Sequence, residues 1–172
     1  NFKKRVADLA EEIFLPDVKD LKGIVIGGPA GTKDDFVEGE FLHHELRKKI
    51  IAVKDITYTD ESGIRELMEA SKDVLSEVEV VRQKDLMQQF MKRLVSDGAI
   101  AYGPDVAPSL EAAAVESLLL SESLDDNDID VLYEKAEQTG AKVEILNEDF
   151  EEGFQLKNTF GGKAALLRFK IN

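Results

Sequence analysis

The residue types that carry chemistry in proteins are thinly spread along this chain. His43 and His44 are its two histidines, and they stand side by side. Adjacent helical residues point about 100° apart, so the pair cannot ligate one metal in the i, i+4 manner. The chain has no cysteine, which removes thiol catalysis, Cys-ligated zinc and a disulfide framework. No strand-turn-helix nucleophile elbow offers a serine beside either histidine. Gly28-Pro29-Ala30-Gly31-Thr32-Lys33 has the composition of a phosphate loop but not its Gly-x4-Gly-Lys-Ser/Thr spacing, and Asp34 stands where a magnesium-holding hydroxyl belongs. Phe160-Gly161-Gly162-Lys163 misses the spacing too and reads as a helix C-cap, while Gly63 reads as a turn residue. Glu111, Glu116 and Glu122, with the acidic cluster from Asp125 to Asp130, could suggest cation binding. Asp126-x-Asp128-x-Asp130 starts like a calcium loop but lacks its turn glycine and closing glutamate. With Asp125 it reads instead as the acidic start of a helix. No catalytic residue, metal ligand or cofactor motif emerges.

The elements that would position any site belong to an acidic globular chain. Its 172 residues are 43% hydrophobic and 33% charged, with 22 Lys+Arg against 35 Asp+Glu and a net charge of -13. That composition is typical of a soluble protein with a buried core. The charge repels phosphate backbones and argues against binding nucleic acid over the whole surface. No apolar run approaches the ~20 residues that cross a bilayer. Asn1-Phe2-Lys3-Lys4-Arg5 leads into Asp8, Glu11 and Glu12 rather than the apolar stretch of a signal peptide. The expected location is cytosolic. A start at Asn1, already inside a helical pattern, is read as part of something longer.

Apolar spacing predicts alternating helices and strands. A helix is expected over 2–14, a strand over 22–28, a glycine-rich loop with at most one helical turn over 29–39, a helix over 41–50 and a strand over 51–59. Another helix is expected over 64–77. A second series then begins with a strand at Val78-Val80-Val81, a helix over 84–95 and a strand over 99–102. A helix over 104–115, a strand over 117–120, a helix over 126–139 closed by Gly140 and a strand over 142–146 follow. A short helix over 151–160 and a strand over 164–169 complete it. Strand–helix–strand runs with short connections imply parallel or mixed sheets covered by helices. The fold class is therefore mixed α/β, with domains expected over 1–77 and 78–172. Both parts are acidic, with 12 Lys+Arg against 17 Asp+Glu and 10 against 18.

From residue 22 to Phe36, through Phe41-Leu42-His43-His44-Glu45-Leu46 and Asp55-Ile56-Thr57-Tyr58-Thr59-Asp60-Glu61-Ser62-Gly63, the chain resembles archaeal and eukaryotic class 1 peptide chain release factors. The similarity resumes at Tyr102-Gly103, at Ala113-Ala114-Val115-Glu116-Ser117-Leu118-Leu119-Leu120-Ser121-Glu122 and at Phe160-Gly161-Gly162-Lys163-Ala164-Ala165-Leu166-Leu167-Arg168-Phe169-Lys170-Ile171. The archaeal branch fits best. The resemblance implies the end of a middle domain over 1–77, followed over 78–172 by an α-β-α sandwich like that of kink-turn-binding ribosomal proteins. The family's codon-reading domain and its catalytic Gly-Gly-Gln loop have no counterpart here: Gly27-Gly28 precedes Pro29, and Gly161-Gly162 precedes Lys163. The implied role is part of a translation termination factor, with no ester hydrolysis by these residues. The ribosome-rescue relative Pelota is the alternative.

The resemblance also implies partners: an elongation-factor-like GTPase, the ribosome and an ABC-type recycling ATPase, with no cofactor. The surface implied for docking is Tyr102, Gly103, Pro104 and Asp105 with the helix that follows. Asp105 stands where kink-turn binders place a neutral or basic group, which implies little direct RNA binding. The family's insertion, zinc-binding in many archaeal members, would follow a strand like 117–124. Here Leu124 passes directly to Asp125-Asp126.

Overall fold

In the computed structural model residues 1–171 are described, and the chain divides into two compact units, Asn1–Glu79 and Val80 onward. The first opens with α1 (Phe2–Phe14), where the Asn1 side chain accepts the Lys3 N–H at 3.1 Å. Strand β1 (Ile24–Gly28), helix α2 (Thr32–Glu38), the single turn α3 (His44–Arg47), strand β2 (Ile50–Asp55) and helix α4 (Glu61–Ala70) follow. β1 and β2 pair in parallel, Val25 opposite Ala52 and Gly28 opposite Asp55. The core beneath them has Ala7, Leu42 and Leu46 at its buried centre.

Several boundaries in this unit differ from the sequence pattern, each for a local reason. The stretch 29–39, expected as loop with at most one helical turn, holds the two turns of α2. The expected helix over 41–50 shrinks to His44–Arg47, because His43 caps it from outside through Nδ1, which accepts the Glu45 N–H at 3.2 Å, and Ile50 already belongs to β2. The strand expected to 59 stops at Asp55. Asp60 then caps α4 by accepting the Ser62 N–H at 2.9 Å. Gly63 lies inside α4 rather than in a turn. A Cβ there would come 1.9 Å from the Tyr58 carbonyl oxygen, so close approach of backbone selects glycine.

The largest correction concerns the strand expected at Val78-Val80-Val81. Those residues lie within α5, a single helix over Lys72–Val95. β-branched residues favour strands only weakly, and context overrides the preference. Here Met87 and Phe90 sit at 0% exposure and Gln83 at 4%, and with partly buried Leu86 and Leu94 they continue a helical stripe, while Val81 points to solvent. No Gly or Pro interrupts residues 64–97. The helix expected over 64–77 is in turn two helices, parted at Ser71 (φ −102°, ψ 0°).

The second unit is the expected α-β-α sandwich. Its strands β3 (Ile100–Tyr102), β4 (Val115–Ser121), β5 (Lys142–Leu146) and β6 (Lys163–Leu167) form one mixed sheet in the order β3-β6-β4-β5. β4 pairs with β5 in parallel, and β6 runs antiparallel to both β4 and β3. Helices α6 (Val106–Glu111) and α7 (Asp126–Gln138) cover one face, and α5 with α8 (Glu151–Thr159) the other. The helix expected over 104–115 is thus a 3₁₀ turn, Gly103–Asp105, and a short α6, with chain turning at Ala113 before β4.

The central strands show why Leu118-Leu119-Leu120 is continuously apolar. Successive strand residues face opposite sides, so Leu118 and Leu120 enter the cluster under α6 and α7, while Leu119 enters the one under α5 and α8. β6 repeats this with Ala165 and Leu167 against Ala164 and Leu166. Full burial of each leucine contributes about 1.5–3 kcal/mol. At the outer strand β5, Arg82 grips the Glu144 carboxylate through Nε and Nη2 at 2.7 and 3.1 Å, and Gln83 donates to the Ile145 carbonyl at 3.1 Å. A sheet edge engaged by side chains is a poorer template for stray strands.

Candidate docking surface

The topology gathers four connections at one end of the second sheet. β3, β4 and β5 all finish there and β6 starts there, because β6 alone runs antiparallel to its neighbours. The surface expected from sequence, Tyr102, Gly103, Pro104 and Asp105, is the first of these connections. Tyr102 ends β3 and is 42% exposed. Its ring meets Phe160 edge-on at 5.4 Å and Phe90 at 6.3 Å, and those two meet each other at 4.9 Å. Edge-to-face pairs at such spacings are favourable beyond simple burial. The half-exposed tyrosine therefore stands on a fixed aromatic base.

Gly103 has φ +57°, Pro104 sits in the first turn of the 3₁₀ segment, and the Asp105 carbonyl accepts the Ser109 hydroxyl at 2.8 Å. The Phe160–Gly162 connection lies against this turn. A Cβ on Gly161 would be 3.9 Å from the Gly103 Cα, and both Gly161 and Gly162 have positive φ. The C-cap reading of these glycines holds, since the Gly162 N–H donates to the Leu156 carbonyl at 2.8 Å. Gly162 also packs against Leu124, where a Cβ would approach within 2.8 Å. Phe160, Gly161 and Gly162 are the residues that sequence reasoning left out of this surface. Their proximity is a product of sheet order, and no spacing along the chain could reveal it.

The turn from β4 to α7 is closed on itself. The Ser121 and Ser123 hydroxyls lie 2.7 Å apart, the Leu124 N–H donates to the Ser121 carbonyl at 3.2 Å, and Asp125 caps α7 through the Asn127 N–H. The acidic run is thus a helix start, as expected from Asp125 to Asp130. Exposed Asp105, Glu122, Asp125, Glu148 and Asp149 lie on connections at this end, and exposed Asp126 opens α7 beside them. Lys157 is engaged with Glu148 at 2.5 Å. Lys163, which starts β6, is a basic residue at the same end, and the exposed carboxylates outnumber it there.

The other stretches weighed for chemistry resolve into structure. Lys33, from the glycine-rich loop, is buried and held by Asp55 at 2.5 Å and Asp34 at 3.3 Å. The hydrogen bond to Asp55 raises its pKa above the usual lysine value. An ammonium so engaged is not offered to a phosphate. His44 Nε2 lies 3.1 Å from Glu45 while His43 serves as a cap. Glu45 titrates below its ordinary value, chiefly through its hydrogen bond to Lys48. Among the described residues no group of three His, Cys, Asp or Glu is placed to hold a metal ion, and no helix is long and apolar enough to cross a membrane.

Comparison with known proteins extends this geometry. Residues 80–171 match the family described as eRF1 domain 3, and residues 1–77 match eRF1 domain 2. The chain belongs to the eRF1 family. Peptide chain release factor subunit 1 of Archaeoglobus fulgidus is 42% identical over 98% of this chain, and that of Thermococcus sibiricus 41% over 99%. The chain spans about half the length of these curated relatives, 52% and 53% respectively. The Archaeoglobus alignment runs over 211 residues against 172 in this chain, so the relative carries roughly forty with no counterpart here.

Among solved structures, the C-terminal domain of the peptide chain release factor from Methanosarcina mazei is 33% identical, with a TM-score of 0.57 over 66% of this eRF1-family chain and 98% of its own. Archaeal Pelota, in a ribosome-bound structure with ABCE1, shares the fold at 24% identity and TM-score 0.66, over 99% of this chain and 49% of its own. Saccharomyces cerevisiae Dom34, described as a translation termination-like factor interacting with Hbs1, does so at 20% and 0.57, over 99% and 52%. The release-factor resemblance seen in the sequence blocks is thereby established as family membership.

Proposed function

We propose that this chain is the part of a cytoplasmic translation termination factor that docks an elongation-factor-like GTPase and the ABC-type recycling ATPase on the ribosome. The observation that carries the reading is the match to release factors at 42% identity along nearly the whole chain. Support for the partners comes from relatives of the same fold, whose descriptions name Hbs1 and ABCE1. The docking surface is the loop end built on Tyr102, Gly103, Pro104 and Asp105, extended by Gly161. Its acidic connections suit a basic partner, favouring association that weakens as salt rises. Kink-turn RNA is disfavoured there by the same charges.

The residues present do not carry out ester hydrolysis. Gly-Gly-Gln does not occur in the sequence, and the glycine pairs that do occur serve β1 and the turn before β6. The Pelota alternative is favoured less, because archaeal Pelota structures are 24% and 26% identical where release factors reach 42%. A competition assay tests the proposal. Added in excess to a reconstituted archaeal termination reaction holding a complete release factor and its GTPase, the chain is expected to slow peptide release. Added alone to stop-codon ribosomes, it is expected to release nothing above background. Absence of competition at tens of micromolar would remove the docking role, and release by the chain alone would remove its non-catalytic assignment.

A further inference from the structure

We draw no further inference here: the strongest candidate, the apolar groove of about 330 Å³ in the first unit between α1, β1 and α4, lined by Phe2, Val6, Ile26, Ile64 and Leu67, is an unpartnered face and nothing in the structure shows what covers it.

Discussion

The two sheets of this chain are built from similar residues and end in different states of burial. β4 reads Val-Glu-Ser-Leu-Leu-Leu-Ser and is buried at every position but Glu116. β1 and β2, with Ile-Val-Ile and Ile-Ile-Ala-Val, are half-buried throughout their apolar residues. Among the described residues the first unit buries three apolar side chains and the second twenty. On α1, Phe2, Leu9 and Ile13 are 73%, 54% and 61% exposed, and on α4 Ile64 is 64% exposed. Strand composition alone therefore does not set burial. What differs is the number of neighbours: two central strands in a covered four-stranded sheet, against a lone parallel pair. Parallel strands are ordinarily covered on both faces, and the second unit meets that requirement from its own residues.

Core truncation should break the comparison most sharply. Leu119→Ala is expected to cost about 3 kcal/mol or more, within the range for a fully buried leucine. Ile51→Ala in half-buried β2 should cost less than half as much. Urea unfolding followed by amide hydrogen exchange would locate each loss, and equal losses would contradict the contrast drawn between the sheets.

The two units do share one device, and it sharpens the comparison. Gly63 follows β2 inside α4, and Gly153 follows β5 inside α8. A Cβ at either would collide with a carbonyl oxygen, 1.9 Å from Tyr58 O or 1.8 Å from Asn147 O. Alanine at each position is expected to destabilise its own unit by about 2–3 kcal/mol. If Gly63→Ala were neutral while Gly153→Ala were not, the first unit's strand-to-helix turn would be looser than its geometry states. At the β5 edge, Arg82→Ala should cost about 2 kcal/mol by deleting two charge-assisted hydrogen bonds to Glu144.

Smaller effects attend the remaining polar groups. The Ser71 hydroxyl is buried without a hydrogen-bond partner among the described residues, so Ser71→Ala should leave stability unchanged or raise it by about 1 kcal/mol. Lys33 has a folded pKa above its unfolded value. Its pairing with Asp55 is therefore fully present below the unfolded lysine pKa near ~10.4 and is lost as pH rises through the raised folded value. Lys33→Met should flatten the alkaline side of the stability profile. Asp97, held below its ordinary pKa chiefly by the hydrogen bond to Lys170, acts at the opposite limit. That contribution is present above the unfolded aspartate pKa and fades as pH falls through the lowered folded one.

Periodicity and composition made most of the second unit legible. Leu118-Leu119-Leu120 signals a strand buried on both faces, and Gly140 closes α7 with φ +73°. The error at Val78 to Val81 arose where β-branched residues imitate a strand inside an uninterrupted helical stripe. Gly63 was legible as glycine but not as a helical one, because its reason is a carbonyl five residues earlier. The surface proposed for docking was half legible. Tyr102 to Asp105 form a local motif, whereas Phe160 and Gly161 join it only through the pairing of β3 with β6.

Docking of an elongation-factor-like GTPase at the loop end of the second sheet is the central claim, and calorimetry of the chain against the GTP-bound GTPase tests it most directly. Titrations at two salt concentrations should show binding at tens of micromolar or tighter, weaker at high salt. Asp105→Arg should abolish most of that heat, since its exposed side chain caps nothing in the fold and the reversed charge would repel a basic partner, while circular dichroism shows the fold intact. No binding by the unaltered chain would contradict docking, and undiminished binding by a folded Asp105→Arg variant would contradict its placement at this end.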